Sequence, residues 1–526
     1  MAQFEFIIVG GGAAGCVLAN RLSLNSANRV LLIESGGVDK DPFIHIPGTF
    51  FKVIEKGRDV HFYASDPEKG LNGRPSIVPQ GNVLGGGSSI NAMIYIRGQR
   101  QDYDTWAQMG CRSWSYEQVL PVFRDLENNE RLSGTYHGAA GPLRVSDRRY
   151  GHPLSWAFIR AAQEVGLPYN EDFNGAQQEG VGFYQTTTAG GRRQSSAQAF
   201  LRAAEGRSNL TILTGQRVHR IEFEDKRAAG VLLESGDRHT ASREIVISAG
   251  AIATPKILQL SGIGDAAHLK HHGIACISHV PGVGENYQDH LEATVQAEVN
   301  ILSLFGEDKG LKAAKHMLQY MLTKTGLLTS NVVECGGFVD TAGTGAPDMQ
   351  FHVLPTFIGF AERLAEPGHG IAIGPCFLRP RSRGTVKLRS ANPKDTASFN
   401  ANSLGDPGDV DTLVRGVELA IKISEAPSLA RIIKRRVLPK PGVEKDPAAL
   451  RDYVRTISKT VFHPAGTCKM GRDDDPMAVV GEDLRVRGVK GLRVADASIM
   501  PTLVSGNTNA PCMMIGERAS RFMLDV

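Results

Sequence analysis

The sequence has no run of about 18 consecutive apolar residues, the length a bilayer-crossing helix needs, so no membrane span is expected. It also lacks an excess of one charge. Its 59 basic and 55 acidic residues are mixed throughout for a net charge of +4, so a basic tract for nucleic acid or anionic lipid is not expected. Cysteine is scarce and scattered: seven residues at 16, 111, 276, 335, 376, 468 and 512 form no Cys-x-x-Cys pair. They read as free thiols in a reducing compartment, and no metal is expected. The opening residues show no charged leader, apolar core or small-residue cleavage site, which makes the cytoplasm the expected location. Tryptophan stands only at 106, 114 and 156, which offers no cage for a quaternary ammonium ion. Internal repeats and low-complexity tracts are missing as well.

Glycine is what the chain has in excess, with 59 residues concentrated in runs such as Gly10-Gly11-Gly12 and Gly85-Gly86-Gly87. Such runs mark backbone that approaches a ligand closely. At 526 residues, 41% hydrophobic and 22% charged, the chain is a folded globular protein too long for one simple core, and two units with interleaved segments are expected.

Phe4 to Val9 is an apolar run suited to a buried parallel strand. Gly10, Gly12 and Gly15 then fill the positions of a G-x-G-x-x-G turn that opens a helix running to Leu22. A second strand, Arg29 to Ile33, ends in Glu34, whose carboxylate can accept hydrogen bonds from a ribose diol and repels a 2'-phosphate. Strand, glycine turn, helix, strand and acid together predict dinucleotide binding, with NAD and FAD both open. A second glycine-rich stretch, 81 to 98, carries Gly86, Ser88 and Asn91. Its backbone N–H groups suit an extended polar ligand larger than NAD.

Beta-type runs recur at Leu210 to Leu213, Val218 to Phe223, Gly230 to Leu233 and Glu244 to Ser248. The last leads into Ala249-Gly250 and a helix in which Pro255 is expected in the first turn. This marks a return to the nucleotide-binding sheet. From about 291 to 450 the alternating apolar segments suit an antiparallel sheet backed by helices. Arg192-Arg193 reads as solvated charge, with anchoring of the glycine loop as the alternative. Glu334 reads either as a substrate contact or as a structural acceptor. His463, ahead of Pro464 in a short turn, is a candidate base. Near the end, Ser505 to Pro511 opens a last helix whose free N–H groups can stabilise negative charge.

Five of these segments, taken in order, resemble the glucose-methanol-choline (GMC) oxidoreductases, FAD-dependent enzymes that oxidise alcohols. They are the Gly10 to Glu34 unit, the Gly81 to Asn91 loop, Gly250 to Gly264, the His463-Pro-Ala-Gly-Thr turn and the Gly506 to Pro511 stretch. The resemblance covers nearly the whole chain. It implies a discontinuous, Rossmann-like α/β FAD-binding domain from residues 1–150, 205–290 and 455–526. An α+β substrate domain from 151–204 and 291–454 completes the expected fold. It implies FAD contacts from Ala13 and Ala14, from Val83, Ala92, Met93 and Ile94 in the second glycine stretch, and from Val218, Ala249, Phe462, Asp496, Ala497 and Thr508. Ile90 stands where the family's choline oxidases carry a flavin-linked histidine, so non-covalent FAD is expected.

In the family the histidine of the His-Pro turn is the base, and its partner lies on the C-terminal stretch. Here these are His463 and Asn507, the latter also suited to capping a helix. The expected reaction is oxidation of a primary alcohol to an aldehyde, with His463 taking the hydroxyl proton as hydride passes to flavin N5 and Asn507 holding the oxygen. Residues 172 to 180 and Asn331-Val-Val-Glu334 look most like the bacterial branch of choline, sorbose and aliphatic alcohol dehydrogenases. A small neutral alcohol (sugar-like, aliphatic, or heteroaromatic such as pyridoxine or furfuryl alcohol) ranks ahead of choline. The electron acceptor is oxygen or a quinone. Lyase chemistry, or a non-redox flavoprotein using FAD structurally, is the reading from another class.

Overall fold

The N-terminal apolar run forms the strand Gln3–Val9, with Phe6 to Val9 buried, as a parallel strand covered on both faces must be. In this computed structural model, which describes residues 3–359 and 366–524, that strand lies between Val30–Ile33 and Arg238–Ile247, parallel to both. Leu210–Leu213 extends the sheet beyond Val30–Ile33, and Leu492–Val494 pairs in parallel with the far end of Arg238–Ile247. An antiparallel hairpin, Val218–Glu224 with Arg227–Leu233, is joined to the near end of that long strand. The sheet is therefore assembled from the beginning, middle and end of the chain, as a discontinuous Rossmann-like fold requires. Helices Ala13–Leu22 and Asn509–Leu524 pack against each other.

The second sheet is antiparallel, in the order Ile433–Leu438, Val295–Val299, Gly370–Phe377, Met349–Leu354, Cys335–Val339, Gly180–Phe183. Side chains alternate across a strand. Met349, Phe351 and Val353 thus enter a core shared with the helices Pro153–Glu164, Pro407–Ser424 and Pro447–Ile457. Gln350, His352 and Leu354 stay out of that core and face the opposite way. The short strands Leu291–Glu292 and Lys459–Thr460 pair with each other at this sheet's margin, and the first of them also meets Gly370–Phe377.

Two local expectations change. Pro255 is not in a first turn: its helix begins at Gly250 and runs to Leu260, so the proline lies inside it and cannot donate to the carbonyl of Ala251. Thr467 Oγ1 donates to that carbonyl instead, at 2.6 Å, which binds the His463 turn to the helix. Asp496 caps the same region, accepting from Gly250 N at 2.8 Å and from Thr254 Oγ1 at 2.6 Å. Arg193 is buried rather than solvated, donating to Ile44 O, Ser88 O and Asn91 Oδ1 at 2.7, 3.0 and 2.7 Å, so the anchoring alternative is the one observed. Among the described residues no helix is long and apolar enough to cross a membrane. All seven cysteines are free.

Candidate active site

One cavity of about 850 Å³ is lined at one end by Gly10, Gly12, Ala13, Ala14 and Glu34 and at the other by His463 and Asn507. At the first end, Gly10 has φ +107° and any Cβ there would lie 2.4 Å from Ser248 O. A Cβ on Gly15 would lie 1.9 Å from Gly10 O, so helix Ala13–Leu22 sits on its own turn with no space for a side chain. Glu34 is buried and accepts from Gly11 N at 2.8 Å and Gly36 N at 2.7 Å. Burial pushes its carboxyl up, and these amides only partly counter that.

Two helix N-termini open into the cavity, and the first-turn N–H groups of a helix have no partner within it. Ala13 and Ala14 belong to one; Thr508, Asn509 and Cys512 line the cavity from the other. Asn509 Nδ2 is, in addition, a buried donor with no protein partner. This donor set fits an extended, anionic dinucleotide such as FAD. Gly86, Ser88, Asn91, Ala92, Met93, Ile94, Val218, Ala249, Phe462, Asp496 and Ala497 all line the cavity, as does Ile90. Gly15 and Val83 do not: Gly15 packs under the turn, and Val83 belongs to a small apolar cluster with Ile44, Val53 and Val60.

At the second end, His463 is positioned by the segment that runs beside it. Its backbone N–H donates to Asp289 Oδ1 at 2.9 Å, and its ring Nδ1 lies 3.0 Å from Nδ1 of His290. Phe462, at φ +71°, bends the chain just before it, a conformation that costs a non-glycine residue of order 1 kcal/mol. His290 Nε2 lies 3.0 Å from the carbonyl of Leu378, which can only accept, so His290 carries its proton there. Its Nδ1 is then the acceptor and His463 Nδ1 the donor. The network thereby assigns the lone pair of His463 to Nε2, the nitrogen turned toward Asn507. Burial, reinforced by His290 and then His352, pushes the pKa of His463 well below the ordinary histidine value, which favours the neutral imidazole.

Asn507 is oriented by a second chain. Tyr184 donates its hydroxyl proton to Phe351 O at 2.6 Å and accepts from Gly337 N at 3.0 Å. Toward Gln350, 3.5 Å away, it can therefore only accept, which makes the near group of Gln350 its amide NH2. That NH2 donates to Asn507 Oδ1 at 3.1 Å, leaving Asn507 Nδ2 aimed at His463 Nε2 at 3.4 Å. An imidazole lone pair and an amide donor thus face one another in a long hydrogen bond. A hydroxyl seated to one side, at hydrogen-bond distance from both, can give its proton to one and accept a hydrogen bond from the other.

Glu292, His352 and Lys459 also line this end. Glu292 accepts from His352 Nδ1 at 3.1 Å and pairs with Lys459 Nζ at 3.5 Å. Neither this trio nor His290, Gln350 and Tyr184 stands out in the sequence. Their one signal is the strand alternation around Gln350 and His352. Glu334 is a structural acceptor: it takes His152 N, Ser155 Oγ and Ser330 Oγ at 2.7, 2.9 and 2.6 Å and is not in the lining.

The chain matches the family described as GMC oxidoreductase, its N-terminal part over residues 4–292 and its C-terminal part over 380–516. It is 43% identical to an alcohol dehydrogenase (acceptor) of Pseudomonas putida, over 99% of this chain and 96% of that one. An oxygen-dependent choline dehydrogenase of Brucella suis is 40% identical over 99% and 96%. Among solved structures, the pyridoxine 4-oxidase of Mesorbium loti superposes with a TM-score of 0.89 at 30% identity, covering 98% of each chain. Glycine turn, His463 turn and the start of the C-terminal helix fall within regions matched over most of the chain, and the protein belongs to the GMC oxidoreductase family.

Proposed function

We propose that this FAD-dependent, alcohol-oxidising enzyme acts on a neutral primary alcohol, giving the aldehyde, with His463 as base and Asn507 as the donor to the substrate oxygen. FAD, when bound, supplies the hydride acceptor. Gly12, Ala13, Ala14 and Asn509 would hold it through their free donors, and Glu34 through its carboxylate. His463 takes the hydroxyl proton at Nε2, and Asn507 Nδ2 supports the charge that develops on oxygen. The 3.4 Å pairing of those two atoms in the cavity carries this reading.

The charge at this end supports a neutral substrate. Burial pushes the Glu292 carboxyl up, but Lys459 and then the hydrogen bond from His352 outweigh it and keep the group below its usual range. That carboxylate is already paired, and a quaternary ammonium ion brought to it would meet the Lys459 ammonium. The seven free cysteines support a reducing, cytoplasmic location. Oxygen and a quinone both stand as acceptors for the reduced cofactor.

The test is anaerobic mixing of the holoenzyme with short aliphatic, sugar-like and heteroaromatic primary alcohols and with choline, following the oxidised flavin band. Bleaching by neutral alcohols is expected, and the rate at which the band returns in air separates oxidase from dehydrogenase. Bleaching by choline alone contradicts the substrate reading, and no bleaching by any of them contradicts the reaction.

A further inference from the structure

The helix Gly310–Thr323 carries apolar side chains on its outer face as well as its inner one. Ordinary surface helices turn their apolar stripe inward, and here Ala313, His316, Met317 and Tyr320 face the body. Leu311, Leu318, Met321 and Leu322 point outward at 90, 59, 65 and 74% exposure, with 311, 318 and 322 falling on one face by helical spacing. Charge on this segment is one-sided. Residues 309 to 324 include Lys309, Lys312, Lys315 and Lys324 and no acid, a local basic cluster against the expectation from the interspersed charge; Glu307, just ahead, pairs with Lys312 at 2.7 Å, which leaves Lys309, Lys315 and Lys324 to carry the cluster's charge. The helix also lies beside the way into the active-site cavity. Leu304 and Asp308, just ahead of it, line the cavity with Phe51 and Lys52, and Lys52 pairs with Asp308 at 3.2 Å. Leu302 and Phe305 on the same approach are exposed.

We propose that this helix docks the enzyme on an anionic lipid surface, with the cavity mouth beside the membrane. Leucine and methionine side chains would enter the acyl boundary while the lysine ammonium groups stay among the headgroup phosphates. A second copy of the chain suits the stripe less well. Fourteen residues span about 21 Å, and a stripe about 10 Å wide offers on the order of 200 Å², far below the roughly 800 Å² per partner of a stable dimer. A two-fold contact would also set lysine against lysine.

The experiment is cosedimentation of the FAD-loaded enzyme with vesicles of phosphatidylcholine alone or mixed with phosphatidylglycerol. Binding to the mixed vesicles only is expected, weakening with added salt. Leu318→Glu with Leu322→Glu should abolish it, and Lys309→Glu or Lys315→Glu should each weaken it by about five-fold or more. Turnover with a soluble acceptor, unchanged in every variant, reports intact folding and keeps this result separate from the identity of the alcohol. Should the leucine variants misfold, the lysine variants and the salt dependence of the parent decide the matter. Failure of the parent to bind phosphatidylglycerol vesicles, or equal binding by all variants, overturns the proposal. So does a parent that sediments as a dimer and becomes monomeric with Leu318→Glu, which assigns the stripe to a second copy.

Discussion

His463 and Asn507 each have one end fixed by a neighbour that cannot exchange donor for acceptor. For His463 that neighbour is His290, committed by the Leu378 carbonyl; for Asn507 it is Gln350, committed by Tyr184. Gln350→Met removes the donor that holds Asn507 Oδ1 and frees the amide to turn its oxygen toward the base. We expect kcat/KM for the alcohol to fall about 10-fold or more with FAD retained, and Gln350→Glu, whose protonated acid can still donate, to recover part of the loss. An unaltered kcat/KM in Gln350→Met would show that the amide is held by something else. The pH dependence follows from the neutral base. Only neutral imidazole accepts the proton, and burial drives the His463 pKa downward, so alcohol-dependent flavin reduction rises with pH only on the acid side and is level from roughly 6.5 upward. A limb that keeps rising well above that value contradicts the neutral, wired state.

Single elements carry the geometry between these residues. The helix Gly250–Leu260 contains a proline where its hydrogen-bond ladder has a gap, and Thr467 fills the gap from the His463 turn. Thr467→Val leaves the Ala251 carbonyl buried without a donor, and a loss of about 1–3 kcal/mol is expected, read as a lowered midpoint in denaturant. No change in the midpoint would mean that water or a backbone shift satisfies that carbonyl. What the sequence makes legible is what local pattern encodes. The period of two in the strands, the glycine turn before helix Ala13–Leu22 and the acid closing Val30–Ile33 need no distant partner to be recognised. His290 and Gln350 are different. Each matters because the fold brings it to a residue more than 150 positions away, and neither a histidine just ahead of a two-residue strand nor a glutamine inside an apolar one has a local mark of that use. Arg193 illustrates the same limit. Its neighbour Arg192 is exposed, and only the fold decides that one of two adjacent arginines is buried against the glycine loop.

Across the whole molecule, the site is shared between two layers. His463 follows Lys459–Thr460, at the margin of the antiparallel sheet, while Asn507 precedes Asn509–Leu524, which packs on the parallel-sheet side against Ala13–Leu22. The 3.4 Å between them therefore depends on how the two parts sit together. The cavity spans that junction, and Ile90 in its lining would offer a bound flavin only aliphatic carbon. Denaturation should release all flavin colour into the soluble fraction, and colour left on the unfolded chain would mean that another side chain has formed a bond. The most direct test of the account is the rate of anaerobic flavin reduction by a saturating primary alcohol in the parent and in His463→Ala. We predict a rate about 10²-fold lower or more in the variant, with FAD still bound; equal rates would remove His463 from the chemistry.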